Sequence, residues 1–358
     1  MRGSGKIGGA MITGTAELRQ VPLWQRELAH VVTEPSELLG LLGLGEEWRA
    51  AAEAAARTFP LRVPRGFVAR MRHGDPRDPL LLQVLPLAAE LVSTPGFSTD
   101  PVGDHAALRA PGVLHKYQGR VLLTATGACA VHCRYCFRRH FPYEEANASV
   151  DGWRGALEVI GADVSITEVI LSGGDPLTLS DRRLSDFVEQ LARLPHVTRL
   201  RLHSRLPVVL PERVTTLLCD ALTGTRLRVV MVIHANHAQE IDASVHRACA
   251  RLIERGFLLL NQSVLLRGVN DSVEALAQLS EALFASGVLP YYLHQLDRVQ
   301  SAAHFEVADE TALALHAGIN ARLPGYLVPR LVREIPGAAG KMQLTADGYI
   351  NFTDFTSI

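Results

Sequence analysis

The chain has 358 residues, of which 47% are hydrophobic, and it carries a formal net charge of −1 with an isoelectric point near 6.9. This composition excludes an intrinsically disordered protein, and it provides no strong field that would favour nucleic acid or a membrane surface. The length allows one large domain with a smaller one beside it.

The first residues and the cysteines indicate the compartment. The opening, MRGSGKIGGAMITG (1–14), lacks the apolar core of a secretory signal, and no run reaches the roughly 18 apolar residues of a membrane span. We expect this opening to be flexible and the protein to be cytoplasmic. Five cysteines, three close together and two (Cys219 and Cys249) in apolar helical patterns, argue against a disulfide framework and suit a reducing compartment.

Helical spacing dominates the chain up to residue 112. In residues 23–57 apolar side chains recur at helical spacing with breaks at Pro35 and Gly43, which predicts two or three helices. A loop-rich stretch, PGFSTDPVGDHAALRAPGV, ends this segment. We therefore predict an N-terminal helical domain over residues 15–112.

From residue 113 onward, strand-like and helical runs alternate with a period of roughly 30 residues, the length of a βαβ unit. Such a repeat predicts parallel, buried strands with helices outside. The predicted strands are residues 120–126, 168–172, 199–203, 228–234, 258–265 and 291–296. Six units predict a partial (β/α)6, TIM-like barrel over residues 113–335, although a doubly wound open sheet would have the same periodicity.

Polar residues stand where the predicted strands end. In either architecture, functional residues lie at the carboxyl ends of the strands. The segments and residues at these ends are the cysteine loop, SGGDP (172–176), HSR (203–205), His234, Gln262 and Asp297. The sequence therefore predicts one site at this end of the sheet.

Cys129, Cys133 and Cys136 follow the first of these strands with the spacing Cys-x3-Cys-x2-Cys. Three thiolates at this separation can bind three corners of one compact iron–sulfur cluster. A [4Fe–4S] cluster held in this way keeps one iron open for a small molecule. The spacing alone also allows a structural zinc site completed by His132 or His140.

Two further signals are weak when taken alone. SGGDP offers glycines where the backbone approaches a ligand closely, but such a motif is more often a turn. Lys341 follows the small-residue loop IPGAAG, from which a lysine can reach into a cavity, but most lysines are solvated. The tail ends in a predicted hairpin around Asp347 and Gly348.

The cysteine spacing, with Tyr135 just before the last cysteine, resembles the signature of the radical S-adenosylmethionine (SAM) superfamily. Together with LSGGDPL, NQSVLLRGVND, PYYLHQLD and IPGAAGK, it resembles the lysine 2,3-aminomutase family over residues 111–344. That resemblance implies a radical SAM barrel and three cofactors: a [4Fe–4S] cluster, SAM and pyridoxal 5′-phosphate (PLP). It also implies isomerase activity, in which the amino group of L-lysine migrates from C2 to C3 to give β-lysine, expected as the (R) form. An aminomutase for another amino acid and a PLP-independent radical SAM enzyme are the alternatives.

The same resemblance assigns site residues by position. The cluster ligands are Cys129, Cys133 and Cys136. The residues implied for SAM are Ser172, Gly173, Gly174, Asp175, His234 and Gln262. PLP is implied on the catalytic Lys341, with its phosphate on Lys116, Tyr117 and Arg120. The substrate is implied to bind through its carboxylate to Arg138 and through its distal ammonium to Asp297 and Glu334.

Some positions depart from the family pattern. Lys116 replaces an arginine, so a point charge replaces a bidentate fork. Glu334 replaces the usual aspartate and adds a methylene. Ala338 and Ala339 replace glycines of the PLP loop, which requires both residues to avoid left-handed backbone geometry.

Both ends of the chain look most like one subgroup of this family. The N-terminal segment, and residues 336–358 with the PLP-lysine loop and hairpin, resemble the enzymes that make β-lysine for modifying elongation factor P. The resemblance then implies free L-lysine as substrate, an electron donor of the flavodoxin or ferredoxin type, and a separate ligase that attaches the product. Other family members extend further with cysteines for zinc, so zinc is not implied here.

Overall fold

The computed structural model describes residues 21–149 and 151–351. The opening residues 1–14, predicted to be flexible, lie outside this part of the chain. The helices are α1 (Leu23–Ala29), α2 (Pro35–Leu42), α3 (Arg49–Ala56), α4 (Arg65–Val68), α5 (Arg154–Ala162), α6 (Asp181–Ala192), α7 (Leu206–Val209), α8 (Thr216–Thr223), α9 (Ala243–Glu254), α10 (Val273–Ala285) and α11 (Asp309–Arg322).

All the strands belong to one sheet and are neighbours in chain order. They are β1 (Leu108–Ala110), β2 (Val113–Tyr117), β3 (Arg120–Thr124), β4 (Glu168–Ser172), β5 (Arg199–Ser204), β6 (Arg228–Ile233), β7 (Leu258–Val264), β8 (Leu289–His294), β9 (Arg330–Arg333), β10 (Met342–Thr345) and β11 (Gly348–Asn351). The pairs from β3 to β9 are parallel, whereas β1–β3 and β9–β11 pair antiparallel.

This topology confirms the predicted fold class. A doubly wound sheet reverses its strand order at a switch point, whereas here the order runs in one direction, as in a barrel. The two ends of the sheet are not paired with each other in the described residues, so the barrel is partial. The structure extends the six predicted strands with β9, which pairs in parallel with β8, and it has β1 and β2, which were not predicted, antiparallel before β3.

The sequence favours these elements locally. In β5, residues alternate between the two faces of the sheet, with Leu200 and Leu202 fully buried. Several outer helices begin at a residue whose side chain accepts a main-chain N–H of the first turn. These residues are Ser180 for α6, Thr215 for α8, Asp242 for α9 and Ser272 for α10.

The N-terminal segment and the parallel strands share a hydrophobic core. Trp24 and Phe67 belong to the same buried cluster as Leu171 and Leu202. The N-terminal segment therefore shares its core with the parallel sheet. The predicted domain boundaries at residues 112 and 335 remain predictions.

The tail forms the hairpin between β10 and β11, with Thr345 opposite Gly348. In the loop before it, Gly337 has a φ of 80°, whereas the positive-φ non-glycine residues of the described chain are Trp153 and Ser301. Ala338 and Ala339 therefore avoid left-handed geometry, as their replacement of glycine requires. Across the described residues, no helix combines the length and apolar character needed to span a bilayer.

Candidate active site

Residues at the carboxyl ends of β3 to β9 line one cavity of about 290 Å³. Its walls include most of the residues that the sequence predicted for the site. These are Cys129, Cys133, Cys136, Arg138, Ser172, Gly173, Gly174, Asp175, His234, Gln262, Asp297, Glu334 and Lys341. The parallel sheet thus brings to one place residues that are more than 200 positions apart in the chain.

The three cysteines occupy the loop after β3, and their thiols are free. Burial raises the pKa of Cys129, and it raises that of Cys136 to about 11, with the neighbouring thiols adding to both shifts. Thiols in such a setting ionise when a metal supplies positive charge. Three cysteine sulfurs lining one cavity fit a cluster that takes three protein ligands and leaves one iron to a bound molecule.

The alternative zinc site lacks its fourth ligand. The Nδ1 atom of His132 lies 2.8 Å from the carbonyl oxygen of Pro60, and its ring stacks on Phe59. His140 is hydrogen-bonded to the main chain of Gln300. The site therefore favours the cluster over zinc.

The N-terminal segment holds the cysteine loop in place. The Nε atom of Arg62 donates to the carbonyl of Cys129 at 2.7 Å, and the main-chain N–H of Arg134 donates to the carbonyl of Gln83 at 2.9 Å. The fully buried Arg134 also donates through Nε to Glu90 at 2.8 Å. Separating Arg134 from Glu90 would leave a buried, unpaired charge, which is costly. The ion pair therefore holds the cysteine loop against the N-terminal segment.

The glycines after β4 pack directly against the cysteine loop. The N–H of Gly174 donates to the carbonyl of Thr126 at 2.7 Å, and a Cβ at Gly174 would lie 2.4 Å from the carbonyl oxygen of Ala128. Gly173 has a φ of 114°, and its carbonyl accepts from Tyr143 Oη at 2.8 Å. Glycine is therefore needed here because the backbone of the cysteine loop approaches so closely.

Asp175 is committed to bonds within the protein. Its carboxylate accepts from Ser204 Oγ at 2.8 Å and from the N–H groups of Arg205 and Leu177. Burial raises its pKa to about 6 even though these bonds lower it. The carboxylate therefore joins the end of β4 to the end of β5, and its implied contact with SAM remains a prediction.

The interior of the cavity holds buried polar atoms that lack a hydrogen-bond partner among the described residues. Among them are Gln262 Oε1, His294 Nε2 and Asp297 Oδ1. Buried polar atoms normally find partners, so these three indicate that the cavity is built to hold a polar ligand.

The histidines of the cavity are neutral. Burial, with Arg205 and Lys341 nearby, lowers the pKa of His234 to about 4, and its Nε2 lies 3.4 Å from His203 Nδ1. Burial likewise lowers the pKa of His294 well below its usual value. Neutral rings can both donate and accept, which suits contacts with an uncharged part of a ligand.

A chain of alternating charges crosses the site. Lys341 Nζ donates to Glu334 Oε2 at 2.9 Å, and Lys116 Nζ lies 2.8 Å from Glu334 Oε1 and 2.7 Å from Asp104. Asp104 also binds Arg138 Nε at 2.6 Å. Burial alone would raise the pKa of Glu334, but the two lysines lower it well below its usual range. Glu334 is therefore ionised and bridges both lysines.

Lys116, Tyr117 and Arg120, predicted for the PLP phosphate, lie outside the cavity lining. Lys116 Nζ contacts Glu334, Asp104 and the carbonyl of Val102. The Arg120 guanidinium lies 4.7 Å from the centre of the Tyr117 ring, and the Tyr117 hydroxyl is hydrogen-bonded to Glu334, a residue of the cavity lining. Their role at the phosphate remains a prediction, and Lys116 would have to exchange a partner to fill it.

Sequence reasoning missed Asp104, Arg205 and His294. Asp104 is almost fully buried between Arg138 and Lys116, and it precedes the cysteine loop in a stretch interpreted only as a connector. Arg205 belongs to the strand-end motif HSR and His294 to the family motif PYYLHQLD, so both lie in motifs that the sequence analysis named without giving these residues a role.

We expect Asp297→Asn to stabilise the ligand-free protein at pH 8 but not at pH 5. Burial and then the charge of Glu334 raise the pKa of Asp297 from 3.8 to about 7. An acid with a raised folded-state pKa destabilises the fold increasingly as the pH rises from the unfolded to the folded value. The melting temperature at pH 8 should rise by roughly 2–4 °C relative to wild type.

Asp104→Asn is the control of opposite sign. Burial alone would raise the pKa of Asp104, but Arg138 and Lys116 lower it, so its charge stabilises the fold above the unfolded pKa. This variant should melt below wild type at pH 8. If Asp297→Asn also melted below wild type at pH 8, the ionised Asp297 carboxylate would not be destabilising the fold, and this prediction would be wrong.

The chain is similar to several known proteins. L-lysine 2,3-aminomutase of Escherichia coli (strain K12) is 50% identical over 322 residues, which cover 90% of this chain and 94% of that protein. The L-lysine 2,3-aminomutases of Haemophilus influenzae and Clostridium subterminale are 46% and 33% identical, over 96% and 76% of their own lengths and over 90% and 89% of this chain. Among solved structures, a radical SAM methyltransferase from Sphaerobacter thermophilus matches with a TM-score of 0.43 and 17% identity, over 64% of this chain and 72% of that one. No family model matches the chain.

Proposed function

The chain belongs to the L-lysine 2,3-aminomutase family, and on that premise we propose that it converts L-lysine to β-lysine with a [4Fe–4S] cluster, SAM and PLP. The observation that carries the proposal is that three thiols, the amine of Lys341, the guanidinium of Arg138 and the carboxylates of Asp297 and Glu334 line the same cavity. When bound, the cluster with SAM supplies a radical that removes hydrogen, and PLP supplies a ring system that holds the migrating nitrogen.

The charges of the cavity match an amino acid with a cationic side chain. Arg138, anchored by Asp104 and by Ser172 Oγ, offers a fixed guanidinium for the substrate carboxylate. Asp297 has a buried, unpartnered oxygen, and a cation beside it would lower its raised pKa and so displace its proton. A lysine substrate therefore gives Asp297 the cation that it lacks and gives Arg138 a second carboxylate to bind.

Glu334 couples the catalytic lysine to the substrate's distal end. Its Oε2 accepts from Lys341, so the Lys341 side chain and a substrate ammonium compete for the same oxygen. The apolar walls, among them Leu296 and Val264, exclude water from these charged groups and so strengthen the electrostatic interactions between them. We propose that Lys341 holds PLP and that Glu334, once released by Lys341, joins Asp297 in binding the ammonium.

The proposed partners follow from the reaction. We propose an electron donor of the flavodoxin or ferredoxin type to reduce the cluster, and a ligase that transfers the β-lysine product to elongation factor P. Identity is higher to the two relatives that are covered almost entirely, at 50% and 46%, than to the one that is covered over 76% of its length, at 33%. This difference supports the elongation factor P subgroup over the longer family members. The cytoplasmic location and the (R) configuration of the product remain predictions.

The test is an anaerobic assay with dithionite, SAM, PLP and L-lysine, in which β-lysine is measured by chromatography. Ornithine and glutamate are assayed in parallel, because Glu334 carries one methylene more than the usual aspartate. β-Lysine formed faster than any other product supports the proposal. Turnover of ornithine or glutamate without formation of β-lysine would show that L-lysine is not the substrate. Undiminished activity after removal of PLP would show that the enzyme does not need this cofactor.

A further inference from the structure

Arg205, directly after β5, contacts one of the three cysteines although it lies 72 residues away in the chain. Its Nη1 atom donates to Cys133 Sγ at 2.7 Å. The side chain is 5% exposed, so water competes little for this donor. A cation therefore hydrogen-bonds a sulfur that the proposed function assigns to the cluster.

The protein holds this guanidinium in one position. It lies between the rings of Phe67 and Tyr135, 5.6 Å from the centre of each. Its Nη2 donates to Gln83 Oε1 at 2.6 Å and lies 3.1 Å from Glu240 Oε2. These contacts fix the plane of the guanidinium and so the direction of Nη1.

Asp175 of the SGGDP motif also helps to position the Arg205 guanidinium. The main-chain N–H of Arg205 donates to Asp175 Oδ2 at 2.7 Å, which fixes the backbone from which the side chain extends. Asp175 itself binds the cysteine loop, because its own N–H donates to the carbonyl of Ala128 at 2.8 Å. Asp175 thus contacts the cysteine loop through its main-chain N–H and Arg205 through its carboxylate.

We propose that Arg205 sets the reduction potential of the cluster through its hydrogen bond to the Cys133 sulfur. This inference rests on the proposed function, since it requires the cluster. A thiolate sulfur that binds iron keeps further lone pairs and can still accept a hydrogen bond. One-electron reduction adds negative charge to the cluster, and a cationic donor to a cluster sulfur stabilises that charge. Arg205 is a positioning residue that makes the cluster easier to reduce.

The experiment is a redox titration of the reconstituted holoenzyme followed by electron paramagnetic resonance. Arg205→Gln removes the charge, and we expect at least a tenfold fall in the equilibrium constant for reduction, which is about 59 mV for a one-electron couple. Arg205→Lys keeps the charge but loses the fixed fork, so its potential should fall by less. Both shifts are towards more negative potential.

Arg70→Lys is the matched control. Arg70 also lies over Phe67, 5.1 Å from the ring centre, but its Nη atoms donate to the carbonyls of Glu240 and Val208. A purely structural effect of losing an arginine at this ring would shift the potential of both lysine variants. We expect the Arg70→Lys potential to equal that of wild type.

The outcomes separate this inference from the function on which it rests. A wild-type protein without an iron–sulfur signal would refute the proposed function. A wild-type cluster with unchanged potentials in both Arg205 variants would overturn only the role of Arg205, as would a weaker affinity for SAM at unchanged potential. If neither variant takes up iron, pulsed resonance of the wild-type cluster with 15N-labelled arginine decides: a coupling at hydrogen-bond distance supports the inference, and its absence overturns it.

Discussion

Replacing Lys341 by arginine is expected to abolish β-lysine formation, with a loss of roughly three orders of magnitude or more, as when a covalent catalytic group is removed. Arginine keeps the positive charge and can keep the ion pair with Glu334, but its guanidinium is not deprotonated and cannot attach PLP. The measurements are β-lysine formation and mass analysis after borohydride reduction. The chain has three lysines, Lys6, Lys116 and Lys341, so the modified residue is readily assigned.

The control for Lys341 is Lys116→Arg. This change keeps a cation beside Asp104 and Glu334, and it restores the residue that the family resemblance implies at this position. We expect PLP to stay attached to Lys341 and activity to stay within about tenfold of wild type. A Lys341→Arg enzyme as active as the Lys116→Arg enzyme would show that Lys341 is not the attachment site.

The fold and the family were predictable because their signals are local. The strands of the parallel sheet are short segments rich in apolar residues, and six of them were predicted from the sequence. The cysteine triplet and the later motifs predicted the family and its isomerase class, and the identity to known members confirms both. Periodicity could not distinguish a one-directional strand order from a reversed one, because that order depends on pairing between distant segments.

The partners of the site residues were not predictable. Lys116 and Glu334 are 218 residues apart, and their contact depends on the whole sheet between β2 and β9. Asp104 carries no motif, yet it joins Lys116 to Arg138. Long-range ion pairs of this kind depend on three-dimensional placement, which residue spacing does not encode.

Asp175 illustrates a second limit. The strand ends predicted one common site for the end of β4 and the cysteine loop, and the glycines permit the close approach of their backbones. A motif does not specify which way a side chain turns, and this carboxylate turns towards Ser204 and the N–H of Arg205. The contact with SAM that the resemblance implies for Asp175 stays a prediction.

Replacing Cys136 by alanine is expected to remove the cluster and with it all β-lysine formation. Mutation of a residue that only hydrogen-bonds a metal ligand typically lowers metal affinity or activity by roughly 10–100-fold. Loss of the ligand itself should lower both by more. Iron content and the visible absorption of the anaerobic protein measure the effect. Cys249→Ala is the matched control, because Cys249 is fully buried in the hydrophobic core away from the loop. That variant should lose about 1 kcal/mol of stability and keep its iron. Equal iron in the two variants would mean that Cys136 is a packing residue like Cys249, and the three-thiolate site would then have to be abandoned.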